Sequence, residues 1–116
     1  MESILTSIKK LLGLPEAITE FDTDIILHIN SVLSALTQIG IGPASGFAIA
    51  DSSATWDDFM GDDPLIASVK SYVYMKVRLL FDPPSNGSTM EAFNQLIAEF
   101  EWRFYVEMDN RRAING

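Results

Sequence analysis

Two proline-marked boundaries constrain this chain more than anything else in it. Asp62-Asp63-Pro64 opens one segment and Phe81-Asp82-Pro83-Pro84 closes it. Aspartate side chains offer acceptors to the unpaired N–H groups of a first helical turn, and proline suits the first helical position, where its missing N–H has no partner anyway. Pro83 drives Asp82 out of the helical region. The enclosed sequence predicts a helix over 64–81, roughly 27 Å long at 1.5 Å per residue. Leu65, Val69, Tyr72, Val73 and Leu80 form its apolar stripe, and Lys76 falls at the centre of that stripe. An ammonium group there must snorkel to water or meet a carboxylate. An internal ion pair is the favoured reading, and a contact with a neighbouring subunit the other.

Three more helices follow from periodicity and end signals. The first covers Ser3 to Leu12, closed by Gly13 in a left-handed conformation and by Pro15 beyond it. The second takes Asp22 as its N-cap, with Phe21 and Ile26 at the spacing of a hydrophobic staple. Ile25, Ile26, Ile29, Val32, Leu33, Leu36 and Ile39 share one of its faces, and Gly40 ends it. The fourth opens at Ser88-Thr89-Met90-Glu91, which has capping-box spacing. Its core stripe is Phe93, Leu96, Ile97, Phe100, Phe104 and Met108, and Arg111 and Arg112 suit its negative C-terminal end. The expectation is one all-α domain over residues 1–116, a small four-helix unit. A long irregular connection, Ile41 to Asp63, joins helices two and three, with Phe47 and Ile49 able to lie in a loop or a short strand. Connections of that length are usually functional.

Composition removes several functional classes. Cysteine is absent, so disulfides and thiolate metal sites are excluded, as expected of a chain from a reducing cytoplasm. A formal charge of −8 argues against a phosphate-binding face, because nonspecific nucleic-acid affinity comes mainly from Lys and Arg. No secretory signal is read at the N-terminus. Ile25 to Ala50 holds no Asp, Glu, Lys or Arg, long enough to span a bilayer. Asn30, Ser31, Ser34, Thr37 and Gln38 along one side, and the glycines after residue 39, read instead as an amphipathic helix followed by a loop, with no membrane partner. His28, the sole histidine, completes no catalytic triad or metal set. Asp51 to Asp62 partly matches a calcium loop, but Trp56 stands where the sharp turn needs glycine, so no metal is expected there and no cofactor elsewhere. Catalytic residues are therefore not assigned.

Surplus apolar surface remains. Trp102 and Val106 lie nearly opposite the Phe93–Phe104 stripe, and Leu27 and Ser31 lie on the uncharged far side of the second helix. A helix neutral around its circumference is usually buried on more than one side. Leu27, Ser31, Lys76, Trp102 and Val106 are accordingly the subunit-interface candidates.

The order of these motifs resembles a known family. Ile4-Leu5-Thr6-Ser7-Ile8-Lys9-Lys10-Leu11-Leu12-Gly13 precedes a long uncharged helix, then Trp56-Asp57-Asp58-Phe59 with Gly61-Asp62-Asp63. Tyr72-Val73-Tyr74-Met75-Lys76-Val77-Arg78-Leu79-Leu80-Phe81-Asp82-Pro83-Pro84 and Glu99-Phe100-Glu101-Trp102-Arg103 complete the series. This is similar to the head–tail connector proteins of tailed bacteriophages, also called adaptor, head-completion or DNA-packaging proteins. The resemblance covers nearly the whole chain, and Trp56 to Pro84 is its most specific part. It implies a non-catalytic virion protein, made in the bacterial cytoplasm, that forms a ring under the portal, twelve-fold to match it. The ring extends the DNA channel, completes the head after packaging, and docks a stopper or tail protein, while DNA passes without sequence-specific binding. It also implies portal contacts through the C-terminal segment, where Arg111 and Arg112 are the candidates. Two alternatives stand beside it: a small terminase-like subunit that binds DNA, and a host cytosolic helical interaction domain.

Overall fold

A computed structural model describes residues 2–115. It holds five helices: α1 (Ile4–Leu11), α2 (Asp22–Gln38), α3 (Trp56–Met60), α4 (Ile66–Phe81) and α5 (Gly87–Asn115). The described residues form no strand, and a single isolated antiparallel bridge joins Ser3 to Thr55. The all-α class is as expected, and the long connection after α2 is present. Within it the chain winds one additional short helix, α3.

The ends of these helices explain where they stop. Gly40 has φ +103°, its N–H donates to Thr37 O at 3.0 Å, and Ile41 N donates to Leu36 O at 3.0 Å. This pair of bonds satisfies the last carbonyls of α2, and buried Ile41 seals the turn beside Leu36. Gly13 closes α1 in the same way. Three start signals act differently from expectation. Phe21, not Asp22, holds the N-cap position of α2, and its ring rests edge-on against Phe81 at 5.6 Å. Asp22 is the first helical residue, which turns its carboxylate toward α1. Pro64 precedes α4 rather than opening it: Asp63 Oδ1 accepts from Leu65 N at 2.9 Å, and the helix begins at Ile66. At α5 the acceptor is Asn86 Oδ1, bonded to Ser88 N at 2.8 Å and Thr89 N at 3.2 Å, ahead of the predicted Ser88 box.

The connection is organised by side chains standing in for backbone. The Asn30 amide of α2 donates to Ile49 O at 2.9 Å, and its Oδ1 accepts from Ile49 N at 2.7 Å. One helical side chain thus supplies what a neighbouring strand would, so the Phe47–Ile49 stretch needs no sheet. Thr55 and Asp58 then form a reciprocal capping box for α3, at 3.1 Å and 2.9 Å. The buried Trp56 donates from Nε1 to Ser7 Oγ of α1 at 2.8 Å.

α4 lies in the middle. α1, α2 and α5 all pack on it. The Phe21–Phe81 contact brings the start of α2 to the end of α4, and the short Asp82–Asn86 link turns α5 back along α4. α2 and α5 therefore run parallel to each other and antiparallel to α4. The fully buried centre is Ile4 and Ile8 of α1, Ile25, Ile29 and Leu33 of α2, and Val69, Val73 and Val77 of α4. Phe104 seals the α5 side with its ring edge-on to Tyr72 at 5.4 Å. The whole forms a slab of 45 × 35 × 19 Å. Two members of the expected stripes turn outward. Leu80 is exposed because Phe81, not Leu80, meets α2 at the end of α4, and Leu96 is exposed because it sits about 80° around α5 from Phe104.

The ion the core does bury is Lys9, 2% exposed. Its Nζ donates to Ile18 O at 2.6 Å and Glu16 O at 3.1 Å, and lies 2.8 Å from Asp22 Oδ1. The contact with Asp22 is an ion pair without hydrogen-bond alignment, since that oxygen has no hydrogen-bond donor. One ammonium thereby ties the last turn of α1, the Glu16–Ile18 loop and the first turn of α2. Lys9→Met keeps the stem's volume but strands two carbonyls and a carboxylate. Thermal unfolding should show a loss of about 3 kcal/mol, a fall of roughly 10–15 °C in Tm. A shift of only a degree or two would mean that water replaces the ammonium there.

Candidate functional site

The interface candidates separate into two surfaces by helical geometry. On α2, Leu27 and Ser31 point away from the Ile25–Ile29–Leu36 stripe, and Leu27 is 66% exposed. Ser34 and Gln38 continue this face in the exposed class, and no residue from Leu27 to Gln38 carries a formal charge apart from the titratable His28. On α5, Trp102 is 67% exposed and Val106 36%, both on the side opposite Phe104, with Tyr105 beside them at 53%. Four of the five candidates are thus solvent-facing, on two different helices with α4 between them.

Lys76, the fifth, is half-buried and forms no ion pair among the described residues. The internal ion pair expected for it is not formed, and three acidic residues of α5 engage elsewhere. Glu101 accepts from Tyr72 Oη at 2.8 Å, Glu99 pairs with Arg103, and Glu107 pairs with Arg111 at 2.8 Å.

Between the two outer faces runs a groove of about 340 Å³, with Tyr72 of α4 as floor. Ala35, Gln38 and Ile39 line it from α2, and Glu101, Tyr105 and Arg112 from α5. Burial, and then the hydrogen bond to Glu101, push the Tyr72 phenol above the ordinary tyrosine range, so it stays a neutral donor. The groove holds no histidine and no paired acid and base suited to proton transfer.

The two C-terminal arginines have different surroundings. Arg111 forks onto Asp63, with Nη1 at 2.8 Å from Oδ2 and Nη2 at 3.0 Å from Oδ1, while its Nε donates to Glu107 at 2.8 Å. This clasp fastens α5 to the turn preceding α4. Arg112 is exposed and pairs with Asp109 on its own helix. The Asp63–Arg111 pair was not legible from sequence, because the two residues stand far apart in the chain. The acidic run before Pro64 was the one available signal, since a carboxylate beside a helix start is open to a second partner.

Asp51 accepts from Ser53 N and Oγ, closing a local turn, and Trp56 begins α3 rather than arching over an ion. Among the described residues no group of three His, Cys, Asp or Glu side chains is placed to hold a metal, and no helix is long and apolar enough to cross a membrane.

The arrangement is that of a small helical assembly subunit: a braced core with unpartnered apolar helix faces at its edges. Comparison with known proteins gives the class. The family model of the phage connector proteins matches residues 4–111, and the chain belongs to that family. No curated protein and no solved structure matches it. A phage structural connector role follows from that membership.

The Arg111 guanidinium holds the Asp63 carboxyl below its ordinary value, against the opposing effect of partial burial. The pair therefore stabilises the fold above the unfolded carboxyl pKa of about 3.9, and the contribution disappears as pH falls through the lower folded value. Asp63→Asn keeps the acceptor for Leu65 N and loses the charge. Denaturant unfolding at pH 7 should show a loss of about 1 kcal/mol, modest because both side chains are partly solvated, and the gap from wild type should close as pH falls through the lowered folded value. A gap unchanged at acid pH would mean that packing, not charge, is what the substitution removes.

Proposed function

We propose that this chain is one subunit of a ring adaptor between the phage portal and the stopper or tail. In this role it extends the DNA channel and completes the head after packaging, as a component of the virion. The observation that carries the reading is the pair of apolar helix faces left without a partner in a chain of the connector family. Connector subunits need contacts to their own copies, to the portal above and to the tail side below. A large exposed aromatic on a stable helix supplies the kind of anchor such contacts use. Leu27, Ser31, Trp102 and Val106 are proposed for subunit contacts, with the half-buried, unpaired Lys76 as a further candidate to meet an acid from a neighbour. Arg112 is the better portal-contact candidate of the two arginines, because Arg111 is clasped by Asp63 and Glu107 while the more exposed Arg112 meets only Asp109 of its own helix. A ring of twelve would match the portal. The role asks for no catalysis and no cofactor.

Trp102→Ala should leave the helical circular-dichroism signal unchanged and the stability within about 1 kcal/mol of wild type, as for a surface substitution. Ring particles, imaged by negative stain with and without portal, should be lost or strongly reduced. Unfolding of the monomer would place Trp102 in the core instead.

The channel gives a second test. With Asp and Glu exceeding Lys and Arg by eight, a ring of these subunits has a neutral or negative lumen, which lets a duplex slide without sticking. Acids on the Asp57–Asp63 stretch and Glu99, Glu101 and Glu107 are the lumen candidates. Filter binding at low salt should detect little or no duplex DNA on the free protein. Salt-sensitive binding in the submicromolar range would favour a terminase-like DNA-binding subunit.

A further inference from the structure

Resting on the ring reading above, we propose that copies of this chain join head to tail. The outer face of α5 in one subunit sits on the outer face of α2 in the next, with Trp102 opposite Ser31 and Ser34. The two faces are unlike. The α5 face presents bulky side chains, Trp102, Tyr105 and Val106, and the α2 face presents Leu27 and then the small side chains of Ser31 and Ser34. A two-fold contact of α5 with α5 would stack Trp102 against its own copy and leave both α2 faces bare. A contact between the unlike faces uses both, and repeating it by one rotation closes a ring. Because α2 and α5 both flank α4, each subunit carries the two halves of such a contact at once.

Charge permits a second copy as the occupant of this face. Two chains of formal charge −8 repel, so they can meet only where the approach brings few like charges together. The outer stripe of α2, Leu27, Ser31, Ser34 and Gln38, has no ionisable side chain, and the acids beside Trp102 and Val106 on α5, Glu99 and Asp109, are each paired with an arginine of their own helix, Arg103 and Arg112.

The level of the contact follows from the packing inside one subunit. At the C-terminal end, a Cβ built on Gly40 would lie 3.6 Å from Met108 Sδ, so these residues are side by side. Six residues earlier on each of the parallel helices, about 9 Å at 1.5 Å per residue, stand Ser34 on α2 and Trp102 on α5. A rotation about an axis along these helices preserves that level between neighbours. The indole of one subunit then meets the part of the next α2 where small side chains leave room for it.

The area involved sets the strength. The exposed parts of Trp102 and Tyr105 amount to some 200–250 Å², from about 150–250 Å² per aromatic side chain, well short of the roughly 1,000 Å² of a stable pairwise interface. A lone dimer held by this contact is weak, whereas a closed ring gives every subunit two such contacts, and a portal template raises the local concentration.

The absence of cysteine makes the test direct. Ser31 is three residues before Ser34, and exposed Ala98 is four before Trp102, so Ser31→Cys and Ala98→Cys fall at closely matched levels while Trp102 is kept. Under mild oxidation with portal present, the double variant should give a ladder of dimers, trimers and higher species on a non-reducing gel, and the ladder should collapse on reduction. Neither single variant should form it. Adding Trp102→Ala should cut the ladder about tenfold or more. Rings visible by negative stain without a ladder would overturn the face assignment and leave the ring reading standing. A single variant that forms dimers would overturn it in favour of a two-fold contact. No ring and no ladder, with or without portal, would sink both.

Discussion

Three helices of this structure, α1, α2 and α5, all take their place against α4. A helix in the middle of a slab must be apolar over most of its circumference, and α4 is: Val69, Val73 and Val77 go toward α1 and α2, and Tyr72 goes toward α5. Its central position also limits what the remaining helices can bury. α2 and α5 each give one face to α4, and in a body 19 Å thick no second layer remains to cover their other sides. The exposed aliphatic and aromatic residues are a consequence of that geometry before they are a matter of function.

Around α4 the chain uses polar groups to hold its segments together. Lys9 gathers the carbonyls of the Glu16–Ile18 loop, Asn30 takes the backbone of Ile49, Trp56 reaches Ser7, and Arg111 holds Asp63. Three of these fix an irregular segment to a helix, where the loop's own backbone has no ladder to join, and the Trp56–Ser7 bond ties α3 to α1. Of the groups with displaced pKa values, Asp63 belongs to one of these braces and Tyr72 to the hydrogen bond with Glu101 that joins α4 to α5. Perturbed groups in a cleft are often functional. Here the partners of each account for the shift, which fits a connector protein whose work is contact.

The long connection after α2 is held at a few points and exposed between them. The Ile41–Asp63 stretch is pinned at Ile49, Ala54 and Trp56. Along it Phe47 is half-buried and Ile49 buried, while Gly46, Ala48 and Ala50 between and beside them are exposed. The rigid part and the presented part are therefore interleaved along one segment. The same division runs along α5, whose inner side is fixed by Phe104 and Met108 while its outer side presents Trp102.

The sequence by itself determined the helical class, the boundaries set by Gly13, Gly40 and Pro83, and the exposure of Leu27, Trp102 and Val106, because these depend on local backbone chemistry and on the 3.6-residue period. It also carried the family, through the ordered motifs from Trp56 to Pro84. The tertiary structure decided the rest. Thr55 and Asp58 wind α3 because the buried Trp56 has Ser7 to meet, and a carboxylate one carbon shorter than the usual capping glutamate hides the signal. Lys9, not Lys76, became the buried cation, since burial depends on which carbonyls and carboxylates converge from distant segments. Periodicity places a side chain on a face, but only packing says what that face meets.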